Sequence, residues 1–275
     1  MAIDGIMIRK ILYISFLTIL LQTGVAYSGS TGSEDLSKSN GTTANECFEG
    51  VSRAMFKFNH GLDKVLFKPI AKGYRALPAP IRKGTGNAMD NLRSLLTFSN
   101  NVLQGDLRGA GNTAGRFAIN TTVGILGVFD PATKMGLKEQ GKEDFGQTLG
   151  VWGADPGCYF VLPILGPTTA RDAIGRVGNV FLDPVYQITH NTEIDNGVVG
   201  NSNYDEHNYY YYRGTSAVDF RAKNIESFDS IEKNAIDLYA SLKSLYLQDR
   251  AKKVKNSKSS VATQNDSDWE EIDTN

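Results

Sequence analysis

The sequence predicts an all-α fold, a single bundle of amphipathic helices with a glycine-rich middle section of loops and short helices, and three observations predict it. Apolar residues recur at steps of three and four in long stretches on either side of the middle section. Prolines, rather than strand-and-turn alternation, punctuate those stretches. Between residues 120 and 170, Gly124, Gly127, Gly136, Gly141, Gly146, Gly150, Gly153, Gly157 and Gly166 leave pieces too short for ordinary helices.

Taken in order, the chain begins with Arg9 and Lys10 ahead of an apolar run from Ile11 to Leu21 and then small residues, the layout of an export signal. That run is about half of the roughly 20 residues a membrane-spanning helix needs. Ala26-Tyr27-Ser28 fits a small-x-small cleavage site, so residues 1–28 read as a signal peptide, with Ala26 as the rival boundary. Cleavage removes Arg9 and Lys10 against Asp4, a net +1, and takes the formal charge from −1 to −2. Residues 29–44 hold almost nothing apolar and read as a flexible tether.

Phe48, Val51, Met55, Phe58, Leu62 and Val65 share one helical face, and Pro69 is expected to end that helix near Phe67. Pro78 and Pro80 break the chain again. Met89, Leu92, Leu95, Leu96, Val102 and Leu103 mark a second helix, and Asp106 opens a third that carries Ala110, Ala114, Phe117 and Ala118. In the middle section Tyr159-Phe160-Val161-Leu162 has the composition of a buried strand, but the proline and glycine after it leave little room for a partner, so no sheet is expected. Ile225, Phe228, Ile231, Ala235, Leu238, Leu242 and Leu245 give the clearest helical stripe, read as one long helix. Residues 251–275 pass from Lys252, Lys253, Lys255 and Lys258 to Asp266, Asp268, Glu270, Glu271 and Asp273, and such charge blocks read as a disordered tail. The folded domain should therefore span residues 45–250.

With 29 Lys and Arg against 30 Asp and Glu, no global field draws the chain to nucleic acid. Asp144-Phe145-Gly146 has the letters of a kinase metal-binding motif without the other kinase signatures, and Gly109-x-Gly111-x-x-x-Gly115 misses the dinucleotide fingerprint by one residue. No nucleophile-elbow, Walker or zinc-protease motif occurs, and His60, His190 and His207 lack ligand spacing. No catalytic residue, metal or cofactor is expected. Tyr209 to Tyr212, near Tyr204, form either an aromatic belt at lipid head-group level or an ordinary packed or surface segment. An oxidising compartment permits a Cys47–Cys158 disulfide, and two separately buried thiols are the other reading.

Several phrases belong together. Phe48-Glu49-Gly50 with Arg53, Met55, Phe58-Asn59 and Leu62-Asp63 is followed by Lys68-Pro69-Ile70-Ala71 and Tyr74. Asn91-Leu92, Leu103-Gln104-Gly105, Arg116-Phe117 and Asn120-Thr121-Thr122-x-Gly124-x-x-Gly127-x-x-Asp130 come next. Glu143 to Gly150 with Trp152-Gly153, then Leu162-Pro163-x-x-Gly166-Pro167-Thr168-Thr169-x-Arg171-Asp172, and finally Tyr246-Leu247-Gln248 complete the run. In that order they resemble the MlaA/VacJ family, from residue 46 to about 250.

The resemblance implies a ring-like helical protein in the inner leaflet of a Gram-negative outer membrane, with an amphipathic channel through it. Phospholipids misplaced in the outer leaflet would pass to a soluble periplasmic carrier, trimeric porins would hold the ring, and membrane asymmetry would be kept; the family's older name also records a link to pathogen spread. Such work requires no bond chemistry. An unshielded two-chain lipid, at about 0.8 kcal/mol per methylene, faces a barrier above roughly 20 kcal/mol, and a sheltered path removes most of it. The stripes at 48–67 and 225–247 suit outward lipid-facing helices and a soluble bundle equally. By their match to family phrases, Lys57, Phe58, Asn59, Asp130, Glu143, Asp144, Phe145, Gly146, Leu162, Pro163, Arg171 and Asp172 are candidates for the lipid path or its gate. Against this, Asp130 before Pro131 is also an ordinary turn residue, and Phe58 an ordinary core residue. Two departures stand out. No acylatable cysteine follows the signal, so retention falls to the ring, a porin or an uncleaved signal helix, and Val51-Ser52 replaces the family's usual Phe-Asn. The rival readings are a porin-binding scaffold that carries no lipid, and a phospholipase, for which no nucleophile and base can be paired.

Overall fold

A computed structural model describes residues 44–190 and 207–270. The signal peptide, nearly all of the tether, Tyr204 and the last five residues lie outside the described residues. Helix α1, Glu49–Leu62, does not stop at Phe67 as expected. A single π-helical turn, Asp63–Phe67, carries the chain directly into α2, Lys68–Arg75. Pro69 falls in the first turn of α2, where a missing N–H is tolerated, and Lys68 N–H reaches back five residues to the Asp63 carbonyl. The pair Pro78 and Pro80 does interrupt the chain, Pro80 sitting in the first turn of α3, Ala79–Gln104. Gly105 closes α3 in the left-handed conformation, at φ 79°, which a side chain would resist. Asp106 then caps α4, Leu107–Thr122, its carboxylate accepting from Gly109 N–H at 2.8 Å.

Helices α3 and α4 form an antiparallel pair joined by polar side chains. Asn101 Nδ2 donates to Thr113 Oγ1 at 3.2 Å, and Asn91 Nδ2 to Thr121 Oγ1 at 2.9 Å. The face that α3 buries includes Asn91, Thr97, Asn100, Asn101 and Gln104, while Phe98, Val102 and Leu103 are exposed. In α1 the buried residue is Ser52, and Phe48, Val51, Phe58 and Val65 from the apolar stripe face outward.

The middle section contains short helices α5, Pro131–Lys134, and α6, Phe145–Val151. It also holds a two-stranded antiparallel hairpin, which corrects the expectation of no sheet. Strand β1, Tyr159–Leu162, pairs with β2, Gly166–Thr169, in the register Tyr159↔Thr169 to Leu162↔Gly166. The partner exists despite Pro167 because a hairpin at the end of a two-stranded sheet leaves strand positions that need no N–H donor. Thr169 caps α7, Ala170–Leu182, and α8, Pro184–His190, follows. Gly175 on α7 lies so close to α6 that a Cβ there would stand 2.4 Å from Gly146 N, so neither helix could approach the other with a larger residue at that crossing.

The stripe read as one helix is two. After α9, His207–Lys223, come α10, Ile225–Asn234, and α11, Leu238–Glu270, with Ala235 extended between them. Asp237 accepts from Ala240 N–H at 3.1 Å and starts α11, a local cap that overrides the continuous periodicity. Helix α11 also runs beyond Arg250, through the segment expected to be a disordered tail, and buries Ser257. The charge block there is compatible with helix because Lys and Glu are good helix formers.

Two small apolar clusters sit among these elements. Ala71, Ala222 and Ile225, with Tyr74, join α2 to α9 and α10. Tyr159, Val161 and Tyr239, packed with Met55, Phe56, Tyr246 and Leu247, join the hairpin to α1 and α11. The Cys47–Cys158 disulfide, with Cα atoms 5.6 Å apart, lies beside this second cluster, where Tyr159 N–H also donates to Asn45 O at 2.9 Å. Among the described residues, no helix is long and apolar enough to cross a membrane.

Candidate functional site

Six of the twelve sequence-selected residues converge at one junction of α6, α7 and α11. Asp144 caps α6, accepting from Gln147 N–H at 3.0 Å, and Asp172 lies in the first turn of α7. Arg250 of α11 holds both. Its Nη1 and Nη2 donate to Asp144 at 2.6 and 2.9 Å, and its Nε and Nη2 to Asp172 at 3.0 and 2.8 Å. Tyr246 O–H donates to Asp172 at 2.5 Å, and Arg171 Nε adds a longer contact at 3.3 Å. Burial opposes ionisation of both aspartates, yet the Arg250 guanidinium outweighs it and holds each carboxyl below the ordinary range. Gly146 is fixed by the same junction, since a Cβ would stand 2.8 Å from Asp172 and 2.9 Å from Arg250. Phe145 donates its N–H to Asn179 at 2.8 Å and packs edge-on to Trp152.

Glu143 begins a second network. Its carboxylate accepts from Gln104 Nε2 and Ser257 Oγ, each at 3.1 Å, while Thr148 Oγ1 donates to Asn100 at 2.7 Å. Burial raises the Glu143 carboxyl, against those hydrogen bonds. These side chains bind helices to one another. All four carboxylate oxygens of Asp144 and Asp172 are engaged within the protein, so the junction fastens α6, α7 and α11 together.

The remaining candidates are scattered. Asn59 clamps the hairpin tip, donating to Leu162 O at 2.8 Å and accepting from Ile164 N–H at 2.7 Å, with Pro163 exposed between them. Lys57 and Phe58 are exposed on α1. Asp130 caps α5, accepting from Thr133 N–H at 3.2 Å and Oγ1 at 2.6 Å, from Asn120 at 3.0 Å and from Arg116 at 3.1 Å. Burial would raise its carboxyl, and the Thr133, Asn120 and Arg116 bonds bring it below the usual range.

Sequence reasoning missed two features. The first is the reversed distribution of polarity: among the described residues, buried polar and charged side chains outnumber buried apolar ones, while large apolar side chains such as Val65 (81%), Leu126 (73%) and Phe181 (70%) are exposed. A protein stable in water alone arranges these the other way. The turn between α4 and α5 concentrates this property. Ile125 and Leu126 both adopt positive φ, 54° and 55°, and Val123, Ile125, Leu126 and Phe129 all project outward. Backbone bonds lock the turn, Gly127 N–H to Asn120 O at 2.8 Å and Phe129 N–H to Gly124 O at 2.9 Å.

The second is a polar cavity of about 90 Å³ between α3, α4 and the loop at residues 139–142. Asn87 on its wall donates to Val128 O at 3.0 Å, so the wall also carries the apolar turn. Within the lining, Lys142 is paired with Asp90, and Arg116 with Asp130. Arg93 is not paired: its buried Nε has no hydrogen-bond partner. The periodicity of α3 placed Arg93 off the apolar stripe but gave no sign of the cavity.

Comparison with known proteins bears on all of this. The family described as MlaA lipoprotein matches residues 44–253. A protein of Rickettsia prowazekii is 40% identical over 146 residues, 52% of this chain and 58% of that one. The intermembrane phospholipid transport system lipoprotein MlaA of Haemophilus influenzae is 31% identical over 248 residues, 89% of this chain and 92% of that protein. A solved structure reported as "Structural basis for maintenance of bacterial outer membrane lipid asymmetry" superposes with a TM-score of 0.62 at 27% identity, covering 76% of this chain and 99% of the solved one.

Proposed function

This chain belongs to the MlaA family, and from that premise we propose that it removes phospholipid from the outer leaflet of a Gram-negative outer membrane and passes it, through an amphipathic path, toward a soluble periplasmic carrier. The Haemophilus influenzae relative, alike over nine-tenths of this chain, is named for intermembrane phospholipid transport, which supports the assignment. The observation on this chain that carries it is the reversed polarity: exposed apolar side chains along α1, α3 and the Val123–Phe129 turn, over helix contacts made by amides, hydroxyls and carboxylates. Exposed apolar surface gains free energy against acyl chains and loses it in water, while polar contacts between helices keep their strength next to lipid.

In this reading the protein lies in the inner leaflet of the outer membrane as a ring, with a trimeric porin as its support. No covalent step is required of it. Lipid moves because the protein lowers the barrier set by exposing acyl chains, and the partners set the direction. The test is a pair of strains with and without the protein, compared by outer-membrane fractionation and by labelling surface-exposed phospholipid with a membrane-impermeant amine reagent. Surface phospholipid should rise in the strain that lacks it and return on complementation. Unchanged labelling, with the protein still bound to a porin, would instead identify a scaffold.

A further inference from the structure

We propose that the cavity between α3 and α4 binds the phosphate group of a phospholipid headgroup through Arg93, an inference that rests on the transport reading and names where the polar end of the cargo is held. Three independent observations converge there. The first is charge. Of the three basic residues lining the cavity, Arg116 and Lys142 are neutralised by Asp130 and Asp90, and Arg93 is left with neither an ion pair nor a hydrogen bond. Leaving a guanidinium nitrogen buried without an acceptor is unfavourable unless a partner outside the chain supplies one. The planar fork of arginine matches phosphate oxygens in pairs.

The second observation is chemical. The wall around Arg93 is built of Asn87, Asn91, Ser94 and Thr97, small amides and hydroxyls suited to the hydrated part of a headgroup rather than to acyl chains. Other charges in reach are few: Glu139 is exposed in the cavity lining, and behind Arg93 the buried Asp183 and Tyr212, with the exposed Arg213, share its field. At about 90 Å³ the cavity admits a phosphate group but not a lipid tail.

The third is position. Asn87 and Asn91 also anchor the turn that presents Ile125 and Leu126 outward, Asn87 by its bond to Val128 O and Asn91 by its contact with Gly127. A polar receptor and an exposed apolar turn thus stand side by side on one wall. That juxtaposition suits an amphiphile whose phosphate enters the cavity while its chains lie along the turn.

The test uses the full chain in detergent and three soluble probes: dihexanoylphosphatidylglycerol, dihexanoylglycerol, which lacks the phosphate, and inorganic phosphate, each titrated by calorimetry. Arg93→Gln should weaken the phosphatidylglycerol probe about tenfold or more, the loss of a charge-assisted pair, and leave dihexanoylglycerol unaffected. Arg93→Lys keeps the charge without the fork, should give an intermediate loss, and serves as the second variant if the glutamine protein does not fold. Lys72→Gln on α2, an exposed charge away from the cavity, should change nothing. Equal binding of the phosphatidylglycerol probe by wild type and both Arg93 variants would overturn the proposal and leave lipid transport standing. Inorganic phosphate binding as tightly as the lipid, with the same dependence on Arg93, would support the phosphate site and assign it to free phosphate. Surface labelling unchanged in cells, with Arg93-dependent binding intact, would remove the transport reading and keep the site.

Discussion

Arg250 and Arg93 each place guanidinium nitrogen out of reach of solvent, and the fold treats them in opposite ways. Arg250 meets two carboxylates and every guanidinium nitrogen donates to one or both of them, at a junction where three helices converge. Arg93 lines a cavity, and its Nε has no partner at all. The first arrangement closes a structure. The second leaves a donor available, at a place where the wall is otherwise satisfied. The contrast teaches that matching of charge, rather than its burial, separates the fasteners of this molecule from the surface where a ligand would act.

The sharpest way to break the comparison is to make one substitution at both places. Arg250→Gln strands Asp144 and Asp172 without their shared cation, and such a loss from a buried ionic network should lower stability by about 3–5 kcal/mol. Thermal or urea unfolding in detergent, followed by circular dichroism, measures it. A loss below about 1 kcal/mol would mean that the junction is not a fastener. The next effect is acid sensitivity. Asp144 and Asp172 have folded values below their unfolded ones, so the stability they contribute is complete above the ordinary carboxylate range and disappears as pH falls through the depressed folded values. Glu143, which burial raises, works with the opposite sign: its contribution is greatest at low pH and diminishes as pH rises past the ordinary glutamate range. A stability profile from pH 2 to 7 should therefore show an acid limb below about pH 4 that becomes shallower in Asp144→Asn. An unchanged limb would assign the acid sensitivity to other groups.

The sequence made some of this architecture readable and concealed the rest for identifiable reasons. Steps of three and four located α1, α3 and α4, and Asp106 marked the start of α4, because helix periodicity and capping are local. Which way the apolar stripe of α3 points is not local. The same spacing serves a water-soluble core and a lipid-facing surface, and the exposure of Val102 and Leu103 with burial of Asn100 and Gln104 decides between them only in three dimensions. Pro69 was read as a break, and the proline and glycine after Leu162 as leaving little room for a strand partner, yet a π turn and a hairpin accommodate them. The family phrases chose Asp144, Gly146 and Asp172 as candidates for the lipid path, and the structure brings all three together around Arg250. Arg250 escaped selection because its partners lie 106 and 78 residues away, a distance no pattern along the chain encodes. Ser257 was hidden by the charged block around it, whose composition matches a solvated tail.

The smallest expected effect is also the most discriminating. Arg93→Gln removes a guanidinium that makes no hydrogen bond or ion pair, so no partner is stranded, and stability should stay within about 1 kcal/mol of the wild type. Glutamine also lightens the desolvation burden on the cavity wall, which works in the same direction. Measured beside Arg250→Gln under identical conditions, the difference between the two variants isolates partnership, since residue type and substitution are the same. If Arg93→Gln were to unfold the protein as readily as Arg250→Gln, Arg93 would have to be a fastener too, holding Asp183 of the α7–α8 junction through the field they share. A stable variant leaves the open Nε donor of Arg93 with no fastening task in the fold, as expected of a group kept for a ligand.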